Sequence, residues 1–222
     1  MLRILTWNLF HGRGVPDVAG PLGGAFAATL AAWEWDVALL QEVPPWWPPR
    51  LARACGARAF TAPTSRGQAL PAARVLAARR PDIVKSWGGG ANAILLRGGR
   101  GATVHARLRV RLTPERRVLQ AVRRDDGVWL ANIHASAHDV GRAQADLERS
   151  GAALRRWAGD EPIVFGGDLN TRAPRVPGFE PAGGHVLDHV FVRGLEVAVP
   201  AVTLERGGLS DHVPVLATVR RP

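Results

Sequence analysis

Short apolar runs, alternating runs and two helical stretches follow one another along most of this chain. LRILTWNL (2–9) is short and mostly apolar and reads as a strand. GGAFAATLAAWEW (23–35) reads as an alanine-rich helix, and DVALLQEV (36–43) as a second buried strand. PPWWPPR (44–50) is a proline-punctuated loop, with a short helix after it through Cys55. ANAILLR (91–97) is strand-like. ATVHARLRV (102–110) and RVLQAVRR (117–124) alternate, and VWLANIHAS (128–136) follows the turn signal DDG, so these read as consecutive antiparallel strands. GRAQADLERSGAALRRW (141–157) puts Ala143, Leu147, Leu154 and Trp157 on one helix face, with arginines over much of the rest. PIVFGGD (162–168) is a buried strand; HVLDHVFVRG (185–194), LEVAVPAVTL (195–204) and HVPVLATVR (212–220) complete a second strand-rich half. Residues 63–90 carry no clear pattern, and no repeat is visible. The elements predict an α/β fold of two mixed sheets packed face to face, with helices outside, in a single domain over 1–222.

Composition narrows this picture. At 222 residues and 46% hydrophobic, the chain has room for a core and is not a disordered segment. Cys55 is the single cysteine, which excludes an internal disulfide and a cysteine-based zinc site; a reducing, cytoplasmic setting is expected. MLRILTWNLF is too short an apolar run for a signal peptide, and Glu34 and Asp36 break the best candidate for a spanning helix, so no membrane insertion is expected. The net charge of +10 is carried almost wholly by arginine, Lys85 being the only lysine. That charge suits an anionic partner bearing phosphate. A GC-rich coding bias, raising Arg, Ala, Gly and Pro together, accounts for it equally well.

The candidate chemistry lies at strand ends. Asn8 closes the first strand, Glu42 the second, His134 the strand at 128–134, and Asp168 and Asn170 the strand at 162–166. Asp188 lies inside a strand, and Asp211 and His212 open the last one. A charge in or beside an apolar segment is costly unless paired or metal-bound. If these ends converge, one pocket holds four carboxylates, two amides and two imidazoles. Such a set suits Mg2+ (or Mn2+), which takes oxygen ligands and leaves room for substrate phosphate. Glu42 is the anchor in this reading, with Asn8 orienting it or in the outer shell; Asp168 orients or deprotonates water. Asn170 donates to phosphate, as does His212 with its tautomer held by Asp188. His134 is a second acid or phosphate donor. Each residue has a plainer reading: Asn8 as a turn cap, Glu42 as a partner of Arg50, Asp168 and Asn170 as an Asx-turn, Asp188 as a cross-strand ion pair, Asp211 as a turn residue and His212 as a core histidine. His11 and Arg13 are either substrate contacts or part of a solvated loop. Trp46 and Trp47 are either a stacking platform or a proline-fixed apolar clamp. His189 follows Asp188 and is expected on the opposite face.

TWNLFHG, LLQEV, NIHAS, VFGGDLN, LDHVF and LSDHVPV, in this order from residue 6 to residue 215, resemble the six signature blocks of the endonuclease/exonuclease/phosphatase family, which includes deoxyribonuclease I, AP endonucleases, inositol polyphosphate phosphatases and bacterial sphingomyelinases. The resemblance implies a four-layer α/β/β/α sandwich and metal-dependent phosphoester hydrolysis. It implies a metal role for Glu42, water activation by Asp168, and a phosphate-contacting His212 paired with Asp188; Asn8, Asn170, His134 and Asp211 match positions that complete the site. AP endonucleases usually carry tyrosine where His134 stands, and this chain has no tyrosine, so it is more similar to the histidine branches. Those often pair the imidazole with an acid from an earlier strand. Between 63 and 100 only Asp82 is on offer, and Asn92 is the substitute in that neighbourhood.

The leading expectation is a monomeric Mg2+- or Mn2+-dependent phosphodiesterase acting on nucleic acid. The alternatives are a phosphomonoesterase, a lipid or small-molecule phosphodiesterase on the same scaffold, or a binding module with a decayed site. The last is disfavoured because every ligand-type residue is present.

Overall fold

Two β–α–β crossovers organise the fold in a computed structural model, which describes residues 1–64, 75–76, 79–80, 90–99 and 101–222. In the first, strand β1 (Leu2–Asn8) passes through helix α1 (Gly23–Ala32) to strand β2 (Val37–Val43), which lies parallel to β1. In the second, β7 (Trp129–His134) passes through α3 (Val140–Ala158) to β8 (Ile163–Asp168), again parallel. The remaining strands are β3 (Ala57–Pro63), β4 (Ala91–Arg97), β5 (Ala102–Arg111), β6 (Arg117–Arg124), β9 (Glu180–His185), β10 (Asp188–Arg193), β11 (Glu196–Thr203) and β12 (Val215–Arg220), and the remaining named helix is α2 (Pro48–Ala54). They make two six-stranded sheets, ordered β11-β12-β1-β2-β4-β3 and β5-β6-β7-β8-β10-β9.

Three apolar clusters define four layers. Ile4, Leu39, Ile94, Val122, Leu130 and Val190 fill the space between the sheets. Trp7, Phe26, Leu30 and Leu51 pack α1 and α2 against the outside of the first sheet. Ile133, Leu147, Leu154 and Phe165 pack α3 against the outside of the second. The fold is therefore the expected α/β/β/α sandwich.

Boundaries differ from the pattern in instructive places. The helix expected to reach residue 35 stops at Ala32, because Arg97 crosses to its end and donates to the carbonyls of Leu30, Ala31 and Trp33 while stacking 3.9 Å over Trp35. Pro48 and Pro49 open α2 rather than ending a loop, since proline fits the first helical turn. The strand expected at 185–194 begins only at Asp188, as β10; His185 ends β9, and the chain turns at Val186 (φ 52°) between them. β3 was not marked by the pattern at all, and Asp82 lies outside the described residues.

A buried polar seam ties the sheets together beneath one end. Asn132 on β7 donates to the carbonyls of Leu40 (2.9 Å) and Ala93 (3.1 Å) and accepts from Gln41 (2.8 Å). Buried amides without such partners are costly, so this seam holds the sheets in one relative register.

Candidate active site

Register carries the polar strand ends to one edge of the sandwich. The parallel pairs bring the ends of β1 and β2 together, and those of β7 and β8, with His134 directly beside Asp168. β10 runs the other way, so its first residue, Asp188, is the neighbour of Asp168. His212 lies in the turn before β12, and its carbonyl accepts from the Trp7 indole at 3.1 Å.

The side chains then meet. Asn8 Nδ2 donates to Asp168 Oδ2 at 2.9 Å, while Asn8 Oδ1 accepts from the Phe10 amide, so one side chain both caps the turn and joins the cluster. Asp168 Oδ1 accepts from the Asn170 amide at 3.1 Å in an Asx-turn, which leaves Oδ2 facing the cluster. Asn170 Nδ2 donates to the Ala135 carbonyl, with its second N–H still to place. His134 Nε2 and His212 Nε2 lie 3.4 and 3.8 Å from Asp168 Oδ2. His212 Nδ1 is 2.7 Å from Asp188 Oδ2. Glu42 meets His11 Nε2 at 3.1 Å and His134 Nδ1 at 3.7 Å, rather than Arg50. Asp211 is exposed at the rim, 4.0 Å from His212 Nε2.

Backbone strain concentrates around the cluster. Phe10, His11, Glu42, Asn170 and Ser210 all have positive φ, between 48° and 63°. A bulge in β2 between Leu40 and Val43 turns Glu42 out of the strand ladder. Gly167 (φ 140°) lets β8 press against β7: a Cβ there would sit 1.9 Å from the Ile133 carbonyl oxygen. Ser210 Oγ donates to the Asn8 carbonyl and accepts from the His212 amide, tying the last loop to the first strand.

Charge is unbalanced in this pocket. Burial lifts the carboxyl of Glu42 above its ordinary range, with Asp168 and Asp211 adding repulsion to the relief given by His11. Burial also lifts Asp168 and Asp188. Burial opposes a charged His212, but the Asp188 bond and the nearby carboxylates outweigh it and raise its pKa. His134 is pushed the other way, well down, by burial and by Arg117. Four carboxylates thus face few cationic groups.

Not every expected residue joins. Asn92 is a correction: its side chain is fully buried and donates to the Val118 carbonyl at 2.9 Å, so it bridges the sheets and does not reach substrate. Arg13 lies over the Phe10 ring and pairs with Asp17, outside the carboxylate cluster. His11 enters the site as a partner of Glu42. Trp47 is buried against Phe26, and Gly12 and Gly23 leave space for its ring, so it is the clamp and not a platform. His189 turns away to the Val186 carbonyl.

The pattern missed Arg117. It is buried at the site end of β6, its Nε has no partner, and its charge is felt at His134 and Asp168. A cavity of about 270 Å³ beside it is lined by Pro114, Glu115, Ser136, His138 and Arg142. No local signal marks it, because only the pairing of β6 with β7 brings it near His134.

Asp168, Asp188 and His212 bring one donor atom each to within 4.8 Å of one another. The short bond between His212 Nδ1 and Asp188 Oδ2 already occupies one donor atom on each of those two residues. Glu42, with Asn8 and Asp211, offers the harder oxygen set.

A model of the Endonuclease/Exonuclease/phosphatase family matches residues 5–212. No curated protein sequence matches. Among solved structures, the fold is similar to TDP2 from C. elegans (18% identity, TM-score 0.71, covering 99% of this chain and 75% of that one). It is also similar to an endonuclease/exonuclease/phosphatase from Bacteroides vulgatus (14%, 0.73, 100% and 99%) and one from Beutenbergia cavernae DSM 12333 (22%, 0.70, 99% and 71%). At these identities the likeness shows the fold.

Proposed function

We propose, since the chain belongs to the endonuclease/exonuclease/phosphatase family, that it is a divalent-metal-dependent phosphodiesterase whose substrate is nucleic acid. The observation that carries the reading is Asp168 Oδ2, held by Asn8 and faced by two imidazoles, opposite the half-buried Glu42 carboxylate.

The donor set fits a small hard cation. Glu42, Asp168 and Asp211 repel one another, and oxygen ligands in excess negative charge are what Mg2+ or Mn2+ selects. Glu42 would hold the ion, with Asn8 and Asp211 beside it, and the bound ion would stabilise charge on the phosphate and make water a better nucleophile. The residues of the chain do the rest. Asp168 Oδ2 aligns the attacking water and accepts its proton. Asp188 fixes the Nδ1–H tautomer or the imidazolium of His212, so that Nε2–H donates to a phosphate oxygen. His134, kept neutral by burial, is a second donor, and Arg117 adds a fixed positive charge behind it. Asn170 supplies its free N–H to the phosphate. The net charge of +10 is compatible with a polyanionic substrate. Among the described residues no helix is long and apolar enough to cross a membrane.

Bis-p-nitrophenyl phosphate and p-nitrophenyl phosphate, each with Mg2+, Mn2+ or chelator, test the reaction class. Metal-dependent turnover of the diester, with Glu42→Ala raising the metal concentration required, supports the reading. Turnover confined to the monoester makes the protein a phosphatase. Full activity of Glu42→Ala at low metal overturns the metal assignment.

A further inference from the structure

The catalytic row does not stop at His134. Register continues it across the second sheet: His134 lies beside Val118 by extension of the Gln120–Asn132 pairing, and Val118 pairs with Arg109 on the edge strand β5. Residues alternate along β5. Ala106, Leu108 and Val110 face α3, whereas His105 meets Phe60 of the opposite sheet at a ring distance of 5.5 Å. Arg107 and Arg109 therefore share the face of His105, which is the face that carries His134. They are exposed, because β3 packs over β6 and leaves β5 projecting past it. Burial lowers the His105 pKa, and the nearby charge of Arg107 lowers it further. Arg58 on β3 borders the same step, 5.1 Å over Phe60.

This ledge has no acid of its own. β3, β5 and β6 contain no Asp or Glu, and among the described residues no carboxylate pairs with Arg58, Arg107 or Arg109. Several other arginines are tied to acids: Arg3 to Asp36, Arg111 to Asp146, Arg123 to Glu161, Arg220 to Glu196. Adjacent strands are about 4.8 Å apart, so Arg109 lies about 10 Å from His134 and about 15 Å from Asp168. Three or four stacked nucleotides at about 3.4 Å each span that distance.

We infer that Arg107 and Arg109 form a phosphate-binding ledge at the free edge of β5, which a single nucleic-acid strand leaving the catalytic centre reaches by passing the site end of β6 rather than its covered face. The inference rests on the nucleic-acid reading above and adds the path and polarity of the contact surface. A single row of guanidiniums with no second row opposite suits one phosphodiester strand. The contacts are electrostatic and sequence-independent.

The test is binding without turnover. A fluorescent oligothymidylate of about 12 nucleotides is titrated in chelator between about 0.05 and 1 M salt, with anisotropy as readout. Loss of two single-strand phosphate contacts lowers the salt slope by about 1.4, or about 25-fold in Kd between 1 and 0.1 M salt. Arg107→Ala/Arg109→Ala is expected to show that loss. Arg53→Ala/Arg156→Ala removes equal charge from the outer helices and is expected to stay within about twofold of wild type. Equal losses in both double variants would reduce the track to net charge, and no loss in either would overturn it. Wild-type affinity of Arg107→Ala/Arg109→Ala for the oligonucleotide, with lost affinity for phosphatidylglycerol vesicles, would also overturn it, in favour of an anionic lipid surface. Turnover of the aryl esters decides the hydrolase reading separately, so failure of one is not mistaken for failure of the other.

Discussion

Gly167→Ala is expected to damage both the fold and the site, for one geometric reason. Gly167 sits at φ 140°, a conformation that residues with a Cβ rarely adopt, and the added carbon would lie 1.9 Å from the Ile133 carbonyl oxygen. Ordinary contact begins at 3.4 Å, so β8 must retreat from β7 by about 1.5 Å. These are neighbouring parallel strands in the middle of the second sheet, buried on both faces. The conformational strain costs about 1–3 kcal/mol. Parting the ladder leaves buried N–H and C=O groups unpaired, at about 1–3 kcal/mol each. A total of at least about 4 kcal/mol lowers Tm by roughly 10 °C or more in a chain of this size. The same retreat carries Asp168, the next residue, away from Asn8 and His134. A misplacement of about 1 Å costs on the order of a hundredfold in turnover. Thermal melts by circular dichroism and hydrolysis of bis-p-nitrophenyl phosphate read the two effects. Gly166→Ala is the comparison: its Cβ meets the His189 carbonyl at 2.8 Å without a positive φ, and it should lose about half as much stability. A Gly167→Ala protein that melts within about 3 °C of wild type and turns over normally would refute this geometry.

Asp146 is fully buried and holds Arg111, the Ser136 amide and the Ser136 hydroxyl just beyond His134. Asp146→Ala should cost about 3–5 kcal/mol, seen as a large drop in denaturation midpoint. The pKa of Glu161 is lowered to about 2 by Arg123 and by the Trp129 indole. A depressed carboxylate contributes stability above its unfolded value of 4.5 and loses it as pH falls through about 2, so Glu161→Gln should melt below wild type at pH 7 and converge with it near pH 2. Asp188→Asn should leave the fold intact and lower kcat at least a hundredfold with a smaller change in KM, because the amide no longer fixes the His212 tautomer. An unchanged kcat in that variant would remove Asp188 from the mechanism.

The parts of the fold that the sequence made legible are those where one physical demand dominates. β1, β2, β7 and β8 are buried on both faces, so the polar groups at the ends of their apolar runs stand out, and Asn8, Glu42, His134 and Asp168 mark those ends. β9 reads EPAGGH, exposed and glycine-rich, and its strand geometry comes from pairing with β10 rather than from its own residues. β3 owes its form to β4 in the same way. The end of α1 is set by Arg97, more than sixty residues away, a contact no local window contains. His11, offered by the sequence as a substrate contact, meets Glu42 instead because the turn after β1 is left-handed. Arg117 was hidden, because it borders the candidate site only once β6 is laid beside β7. Asn92 looked like a substrate group because it stands near the right strand, but its side chain is enclosed between the sheets.

Hydrolysis of a phosphodiester by wild type and Asp168→Asn, side by side, tests the central claim most directly. The substrates are plasmid DNA, single-stranded RNA and bis-p-nitrophenyl phosphate, each with Mg2+, Mn2+ or chelator. Cleavage of a nucleic acid by wild type alone, abolished by chelator and by the substitution of one carboxylate oxygen, is the predicted result. Equal cleavage by Asp168→Asn, or cleavage that persists in chelator, would contradict it.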